Sequence, residues 1–345
     1  MFRKTGNPLK GLHGAAAELL STSPSNISFH TNTSEALNMI ANGYPFRKGD
    51  SIVSYIHEYP SNHYPWVLQE KRGAELRLLQ NSCSESLKKP DQLRPCGFDM
   101  NELEKLTDKN TRMIALSHVQ FTSGFAADLK ELGSYCRSKN IDLVIDAAQS
   151  LGSLPINPDE WGIQAVAASG WKWMMGPIGT GLLYTSPEFR EKISLTMAGA
   201  ELMEQGQDYL NHSWNPLNDA RRFEYSTLSL SLAVSLESCI NEFLLPVKAA
   251  AIKEEIFRLQ NVFLKSLNND RYGFMSFDDK NRSGILAVFP HEPELTGEII
   301  SKAFSNNLLL TERSGYIRIA PHYYNTDEEM IHAAEILNDA VKQLK

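Results

Sequence analysis

Asp146-Ala-Ala-Gln-Ser-Leu-Gly152, then after one more apolar run Ser169-Gly-Trp-Lys-Trp-Met-Met-Gly-Pro-Ile-Gly-Thr-Gly-Leu-Leu-Tyr184, is the part of the chain that decides its fold. Asp146 closes the apolar run Leu143-Val-Ile, and Ser169 closes Ala165-Val-Ala-Ala. A carboxylate directly after a buried strand is costly unless a cation meets it. An isolated aspartate there is most simply a helix cap or a turn residue. Lys172, one strand further on and flanked by Trp171 and Trp173, supplies a reason for it to be more than that. In an open α/β sheet such residues sit beyond the carboxyl ends of the strands, where ligands bind.

Outward from this stretch, short apolar runs alternate with amphipathic ones. Strands are expected at residues 26–31, 51–56, 74–79, 111–118, 142–146, 165–169 and 179–184. Between them the 3.6-residue pattern predicts helices over 35–42, 62–72, 100–106 and 129–139. The alternation argues for an α/β fold with a mostly parallel sheet covered on both faces. Residues 197–222, rich in Asn, Gly and Glu, read as a loop-like crossing. Near Pro246 the pattern changes to a long helix over 247–267, strand-like runs at 284–289 and 316–320, and a last helix opened by a Thr326/Glu329 capping box. Two domains are expected, 20–245 and a smaller α+β one over 246–345, with residues 1–19 a candidate to pack on the latter.

The bulk properties narrow the function. A net charge of −7 with no basic block argues against nucleic acid. Composition is that of a soluble globular chain, 42% hydrophobic and 22% charged. No membrane-length apolar run and no signal-peptide core at the start are evident, so a cytoplasmic location is expected. The four cysteines, Cys83, Cys96, Cys136 and Cys239, form no CxxC pair and are expected to be reduced; no metal pattern such as HExxH is present. A nicotinamide-binding fold would need GxGxxG after its first strand, and none opens a βαβ unit here.

The DAAQSLG and SGWKWMMGPIGTGLLY segments resemble the cofactor-binding core of class V aminotransferase-fold enzymes. These depend on pyridoxal 5′-phosphate (PLP) and include cysteine desulfurases, selenocysteine lyases and isopenicillin-N epimerase-like proteins. The similarity runs from about Asn26 to the C-terminus. It implies the type I PLP-dependent transferase fold, with a seven-stranded sheet in the large domain. It also implies that Lys172 forms the Schiff base with PLP, that Asp146 pairs with the pyridine nitrogen, that Gln149 donates to the ring 3′-oxygen and that Ser169 contacts the phosphate. A lysine must be deprotonated to attack an aldehyde, and desolvation favours that form.

Other segments extend the resemblance. In Ser28-Phe-His-Thr-Asn-Thr-Ser-Glu35, Asn32 and Glu35 stand at capping-box spacing, so Thr33 and Ser34 fall in a first helical turn suited to a phosphate. Tyr59, after Glu58, holds the place of the ring that stacks on the cofactor; a turn tyrosine packed under its loop is the competing explanation. Arg222-Phe-Glu-Tyr-Ser-Thr227 resembles the segment that reaches a phosphate across a dimer interface, which makes Thr227, with Ser226, the candidate and a homodimer the expected assembly. Arg318, in Tyr316-Ile-Arg-Ile-Ala-Pro321, matches the arginine that takes the substrate carboxylate, for which a guanidinium fork is well shaped.

Three departures bear on the chemistry. The 307–315 stretch, where desulfurases carry a nucleophilic cysteine, has none. Trp171 replaces the histidine common before the lysine, and Phe121 replaces a polar asparagine, which fits a bulkier or more apolar substrate. The chain is also shorter at its N-terminus than is usual for such enzymes. The expected activity is transamination, epimerisation or lyase chemistry on an amino acid or amine. The alternatives are a selenocysteine lyase or cysteine desulfurase-like enzyme, and a catalytically idle PLP-fold binding or regulatory protein. The roles of His118 and Phe121 stay open.

Overall fold

The computed structural model describes residues 9–82 and 94–343. Seven strands form the main sheet: β1 (Ile27–His30), β2 (Ser51–Tyr55), β3 (Glu75–Leu79), β4 (Thr111–Ser117), β5 (Asp142–Asp146), β6 (Ala165–Ser169) and β7 (Gly181–Thr185). Their order is β1-β7-β6-β5-β4-β2-β3. Only β7 runs against its neighbours β1 and β6; the other pairings are parallel. All seven expected strands are present. β5, β6 and β7 are buried along their whole length, as the continuous apolar runs require when helices cover both faces. β3 closes one edge and is half exposed.

A second, four-stranded antiparallel sheet is made by β8 (Tyr272–Phe274), β9 (Leu286–Pro290), β10 (Thr311–Arg313) and β11 (Tyr316–Ile319), in the order β10-β11-β9-β8. The helices Ala249–Ser266, Thr296–Ser305 and Asp327–Lys342 pack on it around Leu259, Phe263, Val288, Ile317 and Leu337. The Thr326 cap is a full capping box: Thr326 Oγ1 accepts from Glu329 N–H, and Glu329 accepts from Thr326 N–H. The short strands β8 and β10 carry too little pattern to stand out in the sequence; the Thr296–Ser305 helix, amphipathic with Ile299 and Ala303 buried, had no counterpart among the expected elements.

Local differences have local causes. The single helix expected over 62–72 is broken into Tyr64–Val67 and a tighter turn, Leu68–Arg72, ended by Gly73 at φ +85°. The Ala249–Ser266 helix starts two residues late because Lys248 adopts φ +69°. The helix Lys10–Leu19, with no counterpart among the expected elements, packs on β1 and on the Leu230–Cys239 helix and sends Leu12 and Ala16 into the core of the main sheet. Cys136 and Cys239 are free thiols, but Cys96 is disulfide-bonded, which corrects the expectation that all four are reduced; Cys83 lies outside the described residues.

One close approach locks the helix that follows β4. A Cβ at Gly133, in the helix Leu129–Lys139, would lie 1.8 Å from the carbonyl oxygen of Trp161. Gly14, in the Lys10–Leu19 helix, has nothing within 4 Å of the same position. Gly133→Ala should therefore lower the unfolding free energy by about 1–3 kcal/mol through overpacking. Gly14→Ala should raise it by about 0.5–1 kcal/mol by removing backbone freedom from the unfolded chain. Urea titration of the two variants checks both signs.

Candidate active site

The topology brings distant segments to one edge of the main sheet. Because β1, β2, β4, β5 and β6 point the same way, their carboxyl ends meet there, and β7 starts there. Ser169 is the register partner of Gly181, which in turn faces His30 at the end of β1. A Cβ at Gly181 would lie about 3 Å from the backbone of Asn32, so the turn after β1 is pressed onto the start of β7. This is why Thr33 Oγ1 and Ser169 Oγ, 136 positions apart, sit 2.7 Å from one another. Asn32 Oδ1 accepts from Glu35 N–H at 2.9 Å, as its spacing implies. Glu35 reaches back one residue further than a capping box, accepting from Thr31 N–H and Oγ1 at 2.8 and 2.6 Å. Ser34 donates to Ser61 Oγ at 2.6 Å, tying this turn to the Tyr59 loop. Thr33 and Ser34 open an eleven-residue helix, at the positive end of its dipole.

Asp146 is fully buried at the end of β5. One oxygen accepts from Ala148 N–H at 2.8 Å, and no cation pairs with it among the described residues. Burial raises its pKa above the ordinary carboxylate range, against the opposing pulls of the Ala148 hydrogen bond and the Lys172 charge. Lys172 lies in the turn between β6 and β7. Its Nζ makes no hydrogen bond among the described residues and stands 5.6 Å from the Tyr59 ring centre and 5.4 Å from that of Trp171. Desolvation lowers its pKa, Asp146 pulls it up and Arg318 pushes it down further. Arg318 reaches the site from β11 of the second sheet. Its Nε is buried with no partner among the described residues, and burial together with Arg313 pushes it down to about 10. So an amine, a carboxylate and a guanidinium from three remote segments sense one another, and none of them is neutralised.

The two tryptophans of the Lys172 turn do different work. Trp171 is half exposed, whereas Trp173 is buried against Gly284, where a Cβ would strike its ring at 2.5 Å. His322 Nε2 donates to the Trp173 carbonyl at 3.1 Å, and its Nδ1 accepts from Tyr323 N–H at 3.0 Å. That pair of bonds fixes a neutral imidazole, consistent with burial lowering its pKa. Trp173 Nε1 also donates to Gln149 Oε1 at 3.4 Å, leaving the Gln149 amide nitrogen as its free donor end. Thr227 lies apart: it is exposed, with its hydroxyl 3.5 Å from Glu201, and no bond among the described residues joins it to the others. Neighbouring Ser226 is exposed as well.

A second buried carboxyl, Glu58, escaped the sequence reading except as a landmark. Oε1 accepts from Ser117 N–H at 2.7 Å and from Gln120 Nε2 at 3.3 Å, and Oε2 shares a hydrogen bond with the Ser117 hydroxyl. Ser117 is the register partner of Asp146, so Glu58, just after β2, and Asp146, at the end of β5, flank the end of β4. Burial, with a further contribution from Asp146, pushes Glu58 up to about 7. His118, next in sequence, is buried with Nδ1 unpartnered and pushed down to about 3 by desolvation. Desolvation thus favours its neutral form. Phe121 meets the Tyr59 ring edge-on at 5.2 Å. Among the described residues no cluster of side chains has the make-up of a metal site.

The aminotransferase class-V family profile matches residues 5–300. The chain belongs to this family. Its members are PLP-dependent enzymes that act on amino acids. A probable cysteine desulfurase of Methanothermobacter thermautotrophicus is 27% identical over 345 aligned residues, covering 94% of this chain and 81% of the relative. A probable cysteine desulfurase of Pyrococcus abyssi is 26% identical, over 95% of this chain and 82% of the relative. Among solved structures, the apo cysteine desulfurase of Thermococcus onnurineus NA1 superposes with a TM-score of 0.84 at 23% identity, covering 97% of this chain and 84% of that one. The cystine C–S lyase C-DES, solved with its product cysteine persulfide, gives a TM-score of 0.83 at 21% identity over 96% and 86%. These likenesses place the seven-stranded sheet with its small antiparallel C-terminal sheet in the class V fold.

Two measurements test the electrostatics. Glu58 has a raised folded pKa, so the folded state holds its proton while the unfolded chain releases it between pH about 4.5 and 7. Stability should therefore fall across that window, by at most about 3 kcal/mol from this group; Glu58→Gln, a neutral isostere, should flatten the fall in urea titrations at pH 5 and pH 7.5. Arg318→Met removes an unpaired buried charge and should leave the ligand-free protein more stable by about 1–3 kcal/mol, read the same way.

Proposed function

We propose that this chain is a PLP-dependent enzyme acting at the α-carbon of an amino acid, with Lys172 as the covalent attachment point of the cofactor. The observation that carries the reading is the trio of unneutralised groups, Lys172, Asp146 and Arg318, drawn together from three segments. Each lacks what PLP and an amino acid bring: an aldehyde for the amine, a protonated ring nitrogen for the carboxylate and a carboxylate for the guanidinium. The remaining donors fit the same molecule. The Thr33 and Ser169 hydroxyls and the N–H groups of Thr33 and Ser34 suit a phosphate. The Gln149 amide suits a ring oxygen, and the Tyr59 face suits a flat heteroaromatic ring.

When bound, PLP supplies the electron sink for charge left on the substrate α-carbon. Asp146, held in a site that penalises an unpaired anion, keeps the ring nitrogen protonated. Arg318 takes the substrate carboxylate and so fixes which bonds of the α-carbon lie near Lys172. Lys172, with its pKa depressed by desolvation, is the group placed to remove and return the α-proton. Thr227 and Ser226, exposed on one chain, would complete the phosphate site of a second copy in a homodimer.

Transamination or epimerisation is the leading outcome, because sulfur transfer needs a thiolate nucleophile near the substrate. The free thiols are poorly suited to that task. Cys136 is buried and pushed up to about 12, and the Cys239 thiol is donated to the Met175 carbonyl at 3.3 Å. The names of the relatives favour a second reading, C–S bond cleavage by β-elimination, which uses the same lysine and arginine and needs no protein thiol.

Addition of PLP should give the wild-type protein a visible absorption band that Lys172→Ala lacks. Arg318→Gln should keep that band but weaken amino-acid binding about 10- to 100-fold, the worth of a charge-assisted pair. Pyridoxamine phosphate formation marks transamination; pyruvate release from cysteine or cystine marks elimination. A wild-type protein that never acquires the band is the idle PLP-fold protein instead.

A further inference from the structure

Three aromatic rings converge where Lys172 emerges, and two of them are conspicuously wet. Trp171 is 45% exposed and Tyr59 46% exposed, although both stand within 6 Å of the most chemically specialised amine in the chain. Phe121, half-buried, leans edge-on against Tyr59 at 5.2 Å. Asp146, Glu58, Ser117 and His118, at the same edge of the sheet, are all buried. Nearby buried aromatics are anchored from several sides, as Trp173 is by Gln149, His322 and Gly284. Trp171 has no such anchorage among the described residues; the Lys172 amine stands over its ring. Leaving an indole open to water costs burial free energy that a ligand recovers by covering it.

We propose that Trp171 and Phe121 form the side-chain subsite of the active centre, and that the substrate is an α-amino acid with an aromatic or large apolar side chain. This inference rests on the PLP reading above. With the Tyr59 face given to the cofactor ring, Trp171 and Phe121 are the surfaces left for the substrate. Arg318 fixes the carboxylate end, so the side chain of a bound amino acid is directed away from the guanidinium and toward the aromatic pair. Neither ring offers a charge, a titratable proton or a thiol partner. A carboxylate side chain, as in aspartate, would gain nothing from them and would lose hydration on contact.

The test is equilibrium binding to the PLP-loaded protein, read as the change in its visible spectrum with phenylalanine, leucine, alanine, aspartate and cysteine. Phenylalanine and leucine should bind more tightly than alanine, aspartate or cysteine. Trp171→Ala should weaken phenylalanine binding roughly tenfold and alanine binding less than about twofold, within what one aromatic contact is worth. Phe121→Asn, which restores polarity at the second ring, should shift the preference toward aspartate or cysteine while leaving the band of the loaded protein in place. Three results overturn the proposal. One is a Lys172-dependent band that responds best to aspartate, cysteine or alanine. Another is a Trp171→Ala variant that keeps its amino-acid affinities but changes sedimentation, which places the indole in a subunit interface. The last is absence of the band, which removes the PLP reading and the subsite together.

Discussion

A carboxylate at the end of a buried strand, with no cation to meet it, is the constraint around which the rest of the molecule is arranged. Asp146 closes β5 in the middle of the sheet, and the free energy of placing it there is recovered only if positive charge is brought to it. The chain brings Lys172 near but not into contact, on a turn whose own burial disfavours the ammonium. Arg318, entering from the second sheet, pushes that amine further toward neutrality instead of pairing with the acid. The protein by itself therefore leaves its charges unresolved, which is the condition of a site built for a ligand rather than for stability.

Glu58 adds to the same imbalance. Placed beside Asp146 through Ser117, it is a second acid in a region that tolerates poorly even one anion. Its hydrogen bonds from Ser117 and Gln120 favour the anion, but burial outweighs them and shifts it toward the neutral carboxyl. In that form it caps the end of β4 and ties it to the loop that carries Tyr59.

Much of this was legible in the sequence, for identifiable reasons. The seven strands stood out because central strands covered on both faces are unbroken apolar runs; β8 and β10, three residues each, lacked the length to show. Lys172, Asp146 and Arg318 stood out because each interrupts or closes an apolar run, and the resemblance to class V enzymes gave them expected roles. The Glu58–Ser117 pair could not be read, since nothing along the chain says that positions 59 residues apart will share a hydrogen bond. Nor could the division of labour between Trp171 and Trp173, which depends on where Gly284 and His322 lie in space. The disulfide at Cys96 was missed because scattered spacing carries no pairing information.

The bond from His322 to the Trp173 carbonyl has a thermodynamic meaning. β11 ends at Ile319, so Arg318 and His322 belong to one short stretch of chain, and Trp173 is the residue after Lys172. The guanidinium and the reactive amine are thus the two ends of a single strut made of one strand end, one imidazole and one peptide group. If seating a carboxylate on Arg318 shifts that strand end, the His322 bond is the contact through which the Lys172 turn would feel it. By reciprocity, any such coupling would act equally in the other direction.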